Sequence, residues 1–453
     1  MINALKARLV ILQQSYLPAG SLRERFAKGA FWSLAGTVIS RGLNLVSSII
    51  VARFLGKVGF GELGMIQSTV GMFGVFAGLG LGMTATKYVA EFREKDPAKT
   101  GRIIALSSLV AFITGGITSL ILIIVAPWLA THTLSASHLT NYLRMSSGLL
   151  FFGAINGSQV GALAGFEAFR TIAKVNLWAG LVSFPLVVIG VKVGGLNGVI
   201  WGLVISMSFN WLINHLVLKR ECRKADVLIN FRESLKEIQV LWKFSAPAFL
   251  SSAMVGPVTW VCNTLLVNQP NGYAEMGIFN AANQWRNALL YLPGVLAIPS
   301  ITLMSNAIAS NKISTAQKVY FKTTLFNGIL LLPVVVLLSI YSPWIMKTYG
   351  PQFSSGWQVM VLLLVVALLL SIEATASNLI IATGKMWFGF IMNSGWAVIL
   401  ILSTYFLAYM GAKGLALSYL ISYVIHGIWT FGYVYYYFKK IPSDLNAKCL
   451  IPE

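Results

Sequence analysis

The stretch IIALSSLVAFITGGITSLILIIVAPWLA, residues 103–130, contains no charged side chain over 28 consecutive positions. An α-helix needs about 20 mostly apolar residues to cross the hydrocarbon core of a bilayer, so this stretch predicts a transmembrane helix. Residues 362–372 form another uncharged apolar run. Of the 453 residues 11% are charged and 57% are hydrophobic, whereas soluble domains carry about 25% charged residues. The chain is therefore predicted to be an integral membrane protein.

Apolar stretches of similar length recur along the whole chain and predict an all-α fold with twelve transmembrane helices. The predicted spans are 29–52, 60–83, 103–129, 142–164, 174–193, 196–218, 244–267, 276–303, 321–345, 355–382, 388–410 and 414–438. TGKM at 383–386 lacks both the upstream glycine and the Ser or Thr of a Walker A loop. No cofactor is expected, and transport would have to be driven by a gradient, the membrane potential or substrate mass action.

The formal net charge of +20 does not indicate a nucleic-acid partner, because the basic residues lie in short connections between apolar spans. Of the 34 Lys and Arg residues, 26 fall on the side of the two termini, five fall on the opposite side and three lie inside spans. Connections rich in Lys and Arg stay in the cytoplasm under the positive-inside rule. Both termini are therefore predicted to be cytoplasmic.

The sequence also contains an internal repeat. FGELG at 60–64 resembles YAEMG at 273–277, which lies 213 residues later, and the GxxG pattern at 195–198 recurs at 411–414, at a shift of 216. Parallel repeats in transporters usually place the substrate site between the two halves, near the middle of the membrane. Chance similarity between apolar helices is the alternative interpretation. The predicted organisation is a basic cytoplasmic leader at 1–28, an N-terminal lobe at 29–218, a cytoplasmic linker at 219–243, a C-terminal lobe at 244–438 and a cytoplasmic tail at 439–453.

Of the three arginines inside predicted spans, Arg144 is close enough to a helix end to reach outward, whereas the other two lie at depth, where an ionisable residue costs about 2.5–3.5 kcal/mol on insertion scales and normally faces a cavity or a partner. Arg41 is in the first span and Arg286 is in the eighth, so each half contributes one. Guanidinium groups bind phosphate oxygens through a rigid fork of donors. We interpret both arginines as ligands of an anionic headgroup; the alternative is that they pair with an acidic residue or cap backbone carbonyls. Polar residues on the same helices are candidate cavity contacts or helix–helix contacts: Asn44, Ser48, Asn280, Asn283, Gln284 and Asn287.

Acidic residues are scarce inside the predicted spans. Glu373 is the carboxylate placed deepest, and Glu62 lies near the start of its helix. We interpret Glu373 as an ion-pair partner in preference to a coupling site for protons or sodium, and Glu62 is a second candidate for either role. The three cysteines have no metal-ligand spacing, so neither a metal site nor a disulfide framework is indicated.

The first 91 residues carry a recognisable pattern of short motifs. These are FWSL at 31–34, SR at 40–41, IVARFLG at 50–56, GFG at 59–61, GLG at 78–80 and TKYVAE at 86–91. In this order they resemble the opening of Wzx-type polysaccharide flippases, and the resemblance extends more loosely over the other helices. These flippases belong to the MOP superfamily, together with lipid II flippases and MATE drug exporters. The fold that the resemblance implies is V-shaped, with two six-helix lobes around a central cavity.

The resemblance implies a bacterial inner-membrane flippase. Its substrate would be an undecaprenyl-pyrophosphate-linked oligosaccharide of the O-antigen or capsule type, moved from the cytoplasmic to the periplasmic leaflet. Arg41 and Arg286 are similar in position to cavity arginines of lipid II flippases, but Ser47 stands where a second arginine of the first helix is expected. That departure and the twelve-helix length favour another lipid-linked sugar over lipid II. The implied partners are the bilayer, this anionic lipid-linked sugar, the polysaccharide polymerase and the chain-length machinery.

Two other functions fit parts of the pattern. A MATE-like exporter of small cationic compounds would share the fold, but we would expect it to use buried carboxylates in the first half, where the spans offer only Glu62. A membrane-embedded glycan polymerase or ligase would need a large exterior loop with charged catalytic residues. The predicted exterior connections are short, so a transporter is favoured over an enzyme.

Overall fold

The computed structural model describes residues 22–240, 245, 249 and 253–448, and every regular element in these ranges is helical. The residues outside this description belong to four predicted segments. They are 1–21 of the leader, 241–243 of the linker, 244, 246–248 and 250–252 of the seventh span, and 449–453 of the tail. The α-helices are α1 (Leu22–Gly78), α2 (Leu81–Phe92), α3 (Pro97–Trp128), α4 (Thr140–Gly165), α5 (Phe169–Lys224), α6 (Val255–Val267), α7 (Gly272–Ala309), α8 (Ile313–Ile340), α9 (Ser342–Thr348), α10 (Trp357–Ala382), α11 (Met386–Leu407) and α12 (Ala412–Lys448). Short π or 3₁₀ turns lie at Leu129–Thr133, Ser137–Leu139, Ser234–Glu237, Pro351–Gly356 and Ala408–Met410. The predicted all-α fold is confirmed.

Helix α5 is too long to be a single transmembrane helix. Its 56 residues would extend about 84 Å at 1.5 Å per residue, against a hydrocarbon core of about 30 Å. The backbone leaves helical geometry at Gly194 and at Gly195, where φ is +54° and favours glycine. A Cβ at Gly198 would collide with the carbonyl oxygen of Gly190, so the two arms of α5 lie against each other as an antiparallel hairpin. This helix therefore supplies the fifth and sixth predicted spans.

Helix α1 is divided in the same way by Gly56, whose φ of +69° separates an arm at 22–55 from an arm at 57–78. The second arm stops earlier than the predicted span 60–83, because Leu79 and Gly80 both have positive φ angles before α2 begins. Including α1 and α5, seven helical stretches in the described ranges are long and apolar enough to cross a membrane. Because α1 and α5 each contribute two spans, and α4, α6 and α7 add three more, the arrangement fits twelve spans.

The second half repeats the turn of the first. Gly411, 216 residues after Gly195, also has a positive φ, of +65°. A Cβ at Gly414 would collide with the carbonyl oxygen of Leu407, so α11 and α12 meet as closely as the arms of α5. These matching turns are what two pseudo-symmetric six-helix lobes require. We call the end of the bundle that carries Gly56, Gly195 and Gly411 the far end; the opposite end, which carries most of the Lys and Arg residues, is the basic end.

The two lobes meet along the second arm of α1, which packs on α6 and α7. Several hydrogen bonds cross between the lobes: Trp260 Nε1 donates to Thr69 Oγ1 (3.0 Å), Asn263 Nδ2 donates to Ser68 Oγ (2.8 Å), and Thr84 Oγ1 lies 2.7 Å from Ser245 Oγ. At the far end, Arg53 Nε donates to the carbonyl oxygen of Thr348 (2.6 Å). The lobes are therefore connected at the far end, in the middle of the bundle and, through Thr84 and Ser245, on the side of the basic end.

Large apolar side chains cover the outside of the bundle, as a surface that faces lipid requires. Among the more exposed ones are Ile124, Val193, Ile340, Trp344, Trp387 and Phe406. The main core is one cluster that runs through both lobes, from Phe60 and Leu122 in the first to Leu363 and Tyr419 in the second.

Candidate substrate cavity

A cavity of about 630 Å³ lies in the first lobe, and Tyr291 of the second lobe closes one of its sides. Its lining residues are Ser40, Arg41, Asn44, Gln67, Val70, Leu149, Asn176, Ala179, Gly180, Ser183, Leu203, Ser206, Met207, Asn210 and Tyr291. Amide and hydroxyl groups make up its polar lining, together with one arginine and no carboxylate. This volume falls within the range of about 300–1,000 Å³ that is usual for small-molecule sites.

Arg41 supplies the positive charge of this cavity. Its guanidinium carbon lies 5.4 Å from the centre of the Tyr291 ring, which is within the range of a cation–π interaction. Its helix is held close to α5, since a Cβ at Gly180 would come within 2.7 Å of Ser40 Oγ. Among the described residues no carboxylate pairs with Arg41. The arginine is therefore oriented by an aromatic ring and keeps its hydrogen-bond donors for a ligand.

The other two residues predicted on α1, Asn44 and Ser48, lie in different places. Asn44 lines the cavity with Arg41. Ser48, one turn further on, donates to the carbonyl oxygen of Leu45 (2.9 Å) and lies 3.5 Å from the Tyr349 hydroxyl at the boundary between the lobes. The structure thus places Asn44 in the cavity and Ser48 in a contact between lobes.

Arg286 lies on α7, with its guanidinium carbon 4.9 Å from the centre of the Tyr419 ring. It does not line the cavity of Arg41. Its Nε and Nη1 atoms are buried and have no hydrogen-bond partner within the described part of the chain. A buried donor without a partner is costly, by about 1–3 kcal/mol and more for a charged group. These donors are what a ligand or water would satisfy.

The polar residues predicted on α7 also differ in their surroundings. Asn280 is buried and its Nδ2 donates to the carbonyl oxygen of Phe60 (3.4 Å) across the lobe boundary. Asn283 has a buried Oδ1 without a partner in the described residues. Gln284 is half-buried and Asn287 is exposed. Asn280 therefore connects the lobes, whereas Asn283 has unused hydrogen-bonding capacity.

Glu373 and Glu62 each have a histidine partner. Glu373 Oε2 lies 2.9 Å from His426 Nδ1 in the interior of the second lobe, and Glu62 Oε1 lies 2.7 Å from His138 Nε2 at the far end. Glu373 thus pairs with His426 and not with either arginine. His426 also borders a small cavity of about 170 Å³ together with Asn393.

Sequence reasoning missed the cavity residues that come from α5, above all Asn176 and Asn210. Asn210 Oδ1 accepts a hydrogen bond from Asn214 Nδ2 (3.0 Å), which leaves its amide NH₂ free to face a ligand. Asn214 in turn bonds Asn156 (3.1 Å). The available signal was the spacing of Ser206, Asn210 and Asn214 at i, i+4 and i+8, which places three polar side chains on one face of a helix.

Curated relatives match nearly the whole chain. EPS I polysaccharide export inner membrane protein EpsE from Ralstonia nicotianae is 24% identical over 88% of this chain and 91% of its own length. Lipid III flippase from Escherichia coli (strain K12) is 20% identical over 88% of this chain and 96% of its own length. These names, together with the apolar helices, support a multi-pass inner-membrane protein.

Solved structures of MOP-superfamily transporters share the fold. A multidrug resistance MATE transporter in its inward-facing conformation matches with a TM-score of 0.74 at 15% identity, over 91% of this chain and 99% of its own. A eukaryotic MATE transporter, AtDTX14, matches with a TM-score of 0.70 at 15% identity, over 94% and 99% of the two chains. The fold is the one seen in transporters of the MOP superfamily, as the resemblance to Wzx-type flippases implied, and the export and flippase names of the relatives support the expectation of a transporter in preference to an enzyme. Because residues 26–302 match the family described as "Polysaccharide biosynthesis protein" over more than half of the sequence, the chain belongs to that family.

Proposed function

We propose that this protein flips an undecaprenyl-pyrophosphate-linked oligosaccharide repeat unit from the cytoplasmic to the periplasmic leaflet of the inner membrane. The observation that carries the proposal is Arg41, which has no acidic partner in the described part of the chain and lies in a cavity of about 630 Å³ lined otherwise by neutral side chains. Such a cavity attracts an anion and repels a cation. Two relatives, one named for polysaccharide export and one named a lipid III flippase, support the same class of substrate.

The chemistry of the cavity suits a pyrophosphate attached to a sugar. The guanidinium group of Arg41 would bind the phosphate oxygens, because its paired N–H donors match the spacing of two such oxygens. The amides of Asn44, Gln67, Asn176 and Asn210 offer both donors and acceptors, which is what sugar hydroxyls require. The polar groups are thus suited to both parts of the substrate.

Arg286 is proposed as a second phosphate ligand from the opposite lobe, with Asn283 and Asn287 as neighbouring sugar contacts. Its unsatisfied buried donors support this role. Because Arg286 lies outside the Arg41 cavity, the substrate would meet the two arginines in succession, or together after the lobes move. Alternating access of this kind is common in transporters built from two repeats.

The distribution of Lys and Arg supports the proposed direction. Both termini and the basic end are assigned to the cytoplasm by the distribution of Lys and Arg. The far end, closed by Arg53 and Thr348, then faces the periplasm. We infer that substrate enters from the cytoplasmic side and leaves when the far end opens.

For Glu373 we propose a structural ion pair with His426, and for Glu62 one with His138. The coupling ion, if transport uses one, would then bind elsewhere. The polysaccharide polymerase and the chain-length machinery stay predicted partners. Export of cationic drugs is disfavoured, because the cavity would place the drug against Arg41 with no carboxylate to compensate.

The test is a flipping assay in proteoliposomes that carry a fluorescent undecaprenyl-pyrophosphate sugar, with loss of label from the accessible leaflet as the readout. We expect the wild type and an exposed-arginine control, Arg220→Ala, to flip the lipid, and Arg41→Ala and Arg286→Ala to stall at normal folded yield. A wild type that leaves this lipid unmoved but exports a cationic dye would contradict the proposal and favour the exporter.

A further inference from the structure

A second cavity, also of about 630 Å³, lies in the first lobe between α3, α4, α5 and the connection at 225–231. It shares no lining residue with the cavity of Arg41. Exposed apolar side chains surround its opening, including Leu228, which is 83% exposed, and Phe231. A cavity bordered in this way opens toward lipid rather than toward water. We call it the outer groove.

The opening of the outer groove is cationic. The two cations Lys219 and Arg223 line it, and with His215 they are spaced at i, i+4 and i+8, so the three lie on one face of α5. The groove lining contains no carboxylate. The nearest acid in sequence, Glu221, pairs instead with Lys224 (2.7 Å) on another face of the helix. In the described ranges neither Lys219 nor Arg223 forms an ion pair, so both charges are available to an anion.

The part of the outer groove that lies farther from the basic end is aromatic. Phe112 and Phe151 have ring centres 5.2 Å apart, Phe151 and Phe152 are 5.4 Å apart, and Phe152 and Trp211 are 5.8 Å apart. From Trp211 to Arg223 the groove follows twelve residues of α5, or about 18 Å of helix. That length suits an extended hydrocarbon chain that ends in a headgroup beside the two cations.

One buried polar group points to a ligand independently of these charges. Gln159 lines the outer groove and is 3% exposed, yet its Oε1 atom has no hydrogen-bond partner among the described residues. Buried polar side chains are nearly always hydrogen-bonded, and an unpaired one is destabilising. A headgroup hydroxyl in the groove would satisfy it.

We propose that the outer groove binds an anionic phospholipid of the leaflet at the basic end. Its phosphate is held by Lys219 and Arg223, a headgroup hydroxyl bonds Gln159, and an acyl chain lies against Phe112, Phe151 and Trp211. Basic pockets between transmembrane helices recognise anionic headgroups through the same combination of charge and apolar depth. This site is separate from the substrate cavity and does not depend on which lipid-linked sugar is transported.

The test is native mass spectrometry of the full chain, delipidated in detergent and then titrated with phosphatidylglycerol or with phosphatidylethanolamine of identical acyl chains. We expect one phosphatidylglycerol to be retained in preference to phosphatidylethanolamine. The double variant Lys219→Ala/Arg223→Ala should weaken phosphatidylglycerol binding by about 30-fold. The matched control Arg220→Ala/Lys224→Ala removes the same charge from the same helix end outside the groove and should bind as the wild type does.

The proposal would be overturned by equal retention of the two phospholipids, by an equal loss in both double variants, or by displacement of the bound lipid by inorganic phosphate alone. Tighter binding of undecaprenyl phosphate than of phosphatidylglycerol would also overturn it, since the groove would then serve the carrier lipid. All four substituted residues are exposed, so folding should be retained, and a thermal unfolding profile confirms this for each variant.

Discussion

Gly61 of α1 and Gly277 of α7 lie in direct backbone contact at the far end, one from each lobe. A Cβ on Gly61 would collide with the carbonyl oxygen of Tyr273, and a Cβ on Gly277 would collide with the carbonyl oxygen of Lys57. Both partners lie four residues before the opposing glycine, so the contact is symmetric. The two glycines are 216 residues apart, the same shift that relates Gly195 to Gly411, whereas the match of FGELG with YAEMG has a shift of 213 and aligns Gly277 with Gly64. The repeat therefore packs against its own copy.

Replacing Gly61 by valine should prevent the lobes from closing at the far end, because the backbones could no longer approach each other. We expect flipping to be abolished while expression is retained, with the protein held open at the far end. Accessibility of a cysteine placed at Ser68 to a membrane-impermeant thiol reagent measures this opening. Gly71→Val is the matched control on the same arm, since a Cβ there meets nothing within 4 Å. Equal accessibility in both variants would contradict the prediction.

Arg41→Lys should weaken binding of the substrate pyrophosphate by about 10- to 100-fold, since lysine keeps the charge but loses the paired donors. Arg41→Ala should weaken it further. Binding of undecaprenyl pyrophosphate to the purified protein can be followed by titration of intrinsic fluorescence or by calorimetry. Arg220→Lys serves as the control. If lysine at position 41 binds as tightly as arginine, charge alone is sufficient and the proposed fork geometry is wrong.

Tyr291 is expected to position Arg41 through its ring and not through its hydroxyl. Tyr291→Phe should leave substrate affinity within about twofold, whereas Tyr291→Leu should lower it by about three- to tenfold, because a cation–π contact contributes about 0.5–1 kcal/mol or more when desolvated. The same binding assay distinguishes the two variants. A large loss in the phenylalanine variant would show that the hydroxyl binds substrate directly.

Glu373 and His426 should behave as a structural pair. Glu373→Gln alone should destabilise the fold, and the double-mutant cycle with His426→Asn should show a coupling of about 0.5–3 kcal/mol in thermal unfolding. Transport per folded molecule should keep its wild-type response to an imposed proton gradient. Loss of that response in Glu373→Gln, at normal stability, would identify the pair as a proton-coupling site instead.

The helices and the repeat could be predicted from sequence because both depend on local patterns. Uncharged runs such as 103–130 mark spans, and the glycines at 195 and 411 mark the turns between paired helices. The side-chain partners could not be predicted. Glu373 and His426 are 53 residues apart on two helices whose relative rotation no local pattern specifies.

In the candidate site, too, some residues could be predicted from sequence and others could not. Arg41 stood out because an arginine inside a span is costly, and the structure places it in a cavity. Ser48 and Asn280 looked equivalent to Asn44 and Asn283 in sequence, but they connect the lobes. Which face of a helix meets the other lobe and which meets a cavity depends on packing over the whole molecule.

The break in helical geometry at Gly56 would allow the first arm of α1 to rotate as a rigid body about this residue. Arg41 lies 15 residues from that glycine, or about 22 Å along the helix axis. A rotation of about 10° at this one residue would therefore carry the guanidinium group roughly 4 Å, more than the length of a hydrogen bond. A small angular change at the far end would thus be enough to move the guanidinium group of Arg41 toward or away from a phosphate bound as proposed, and a single backbone position would couple substrate binding to the closure of the far end.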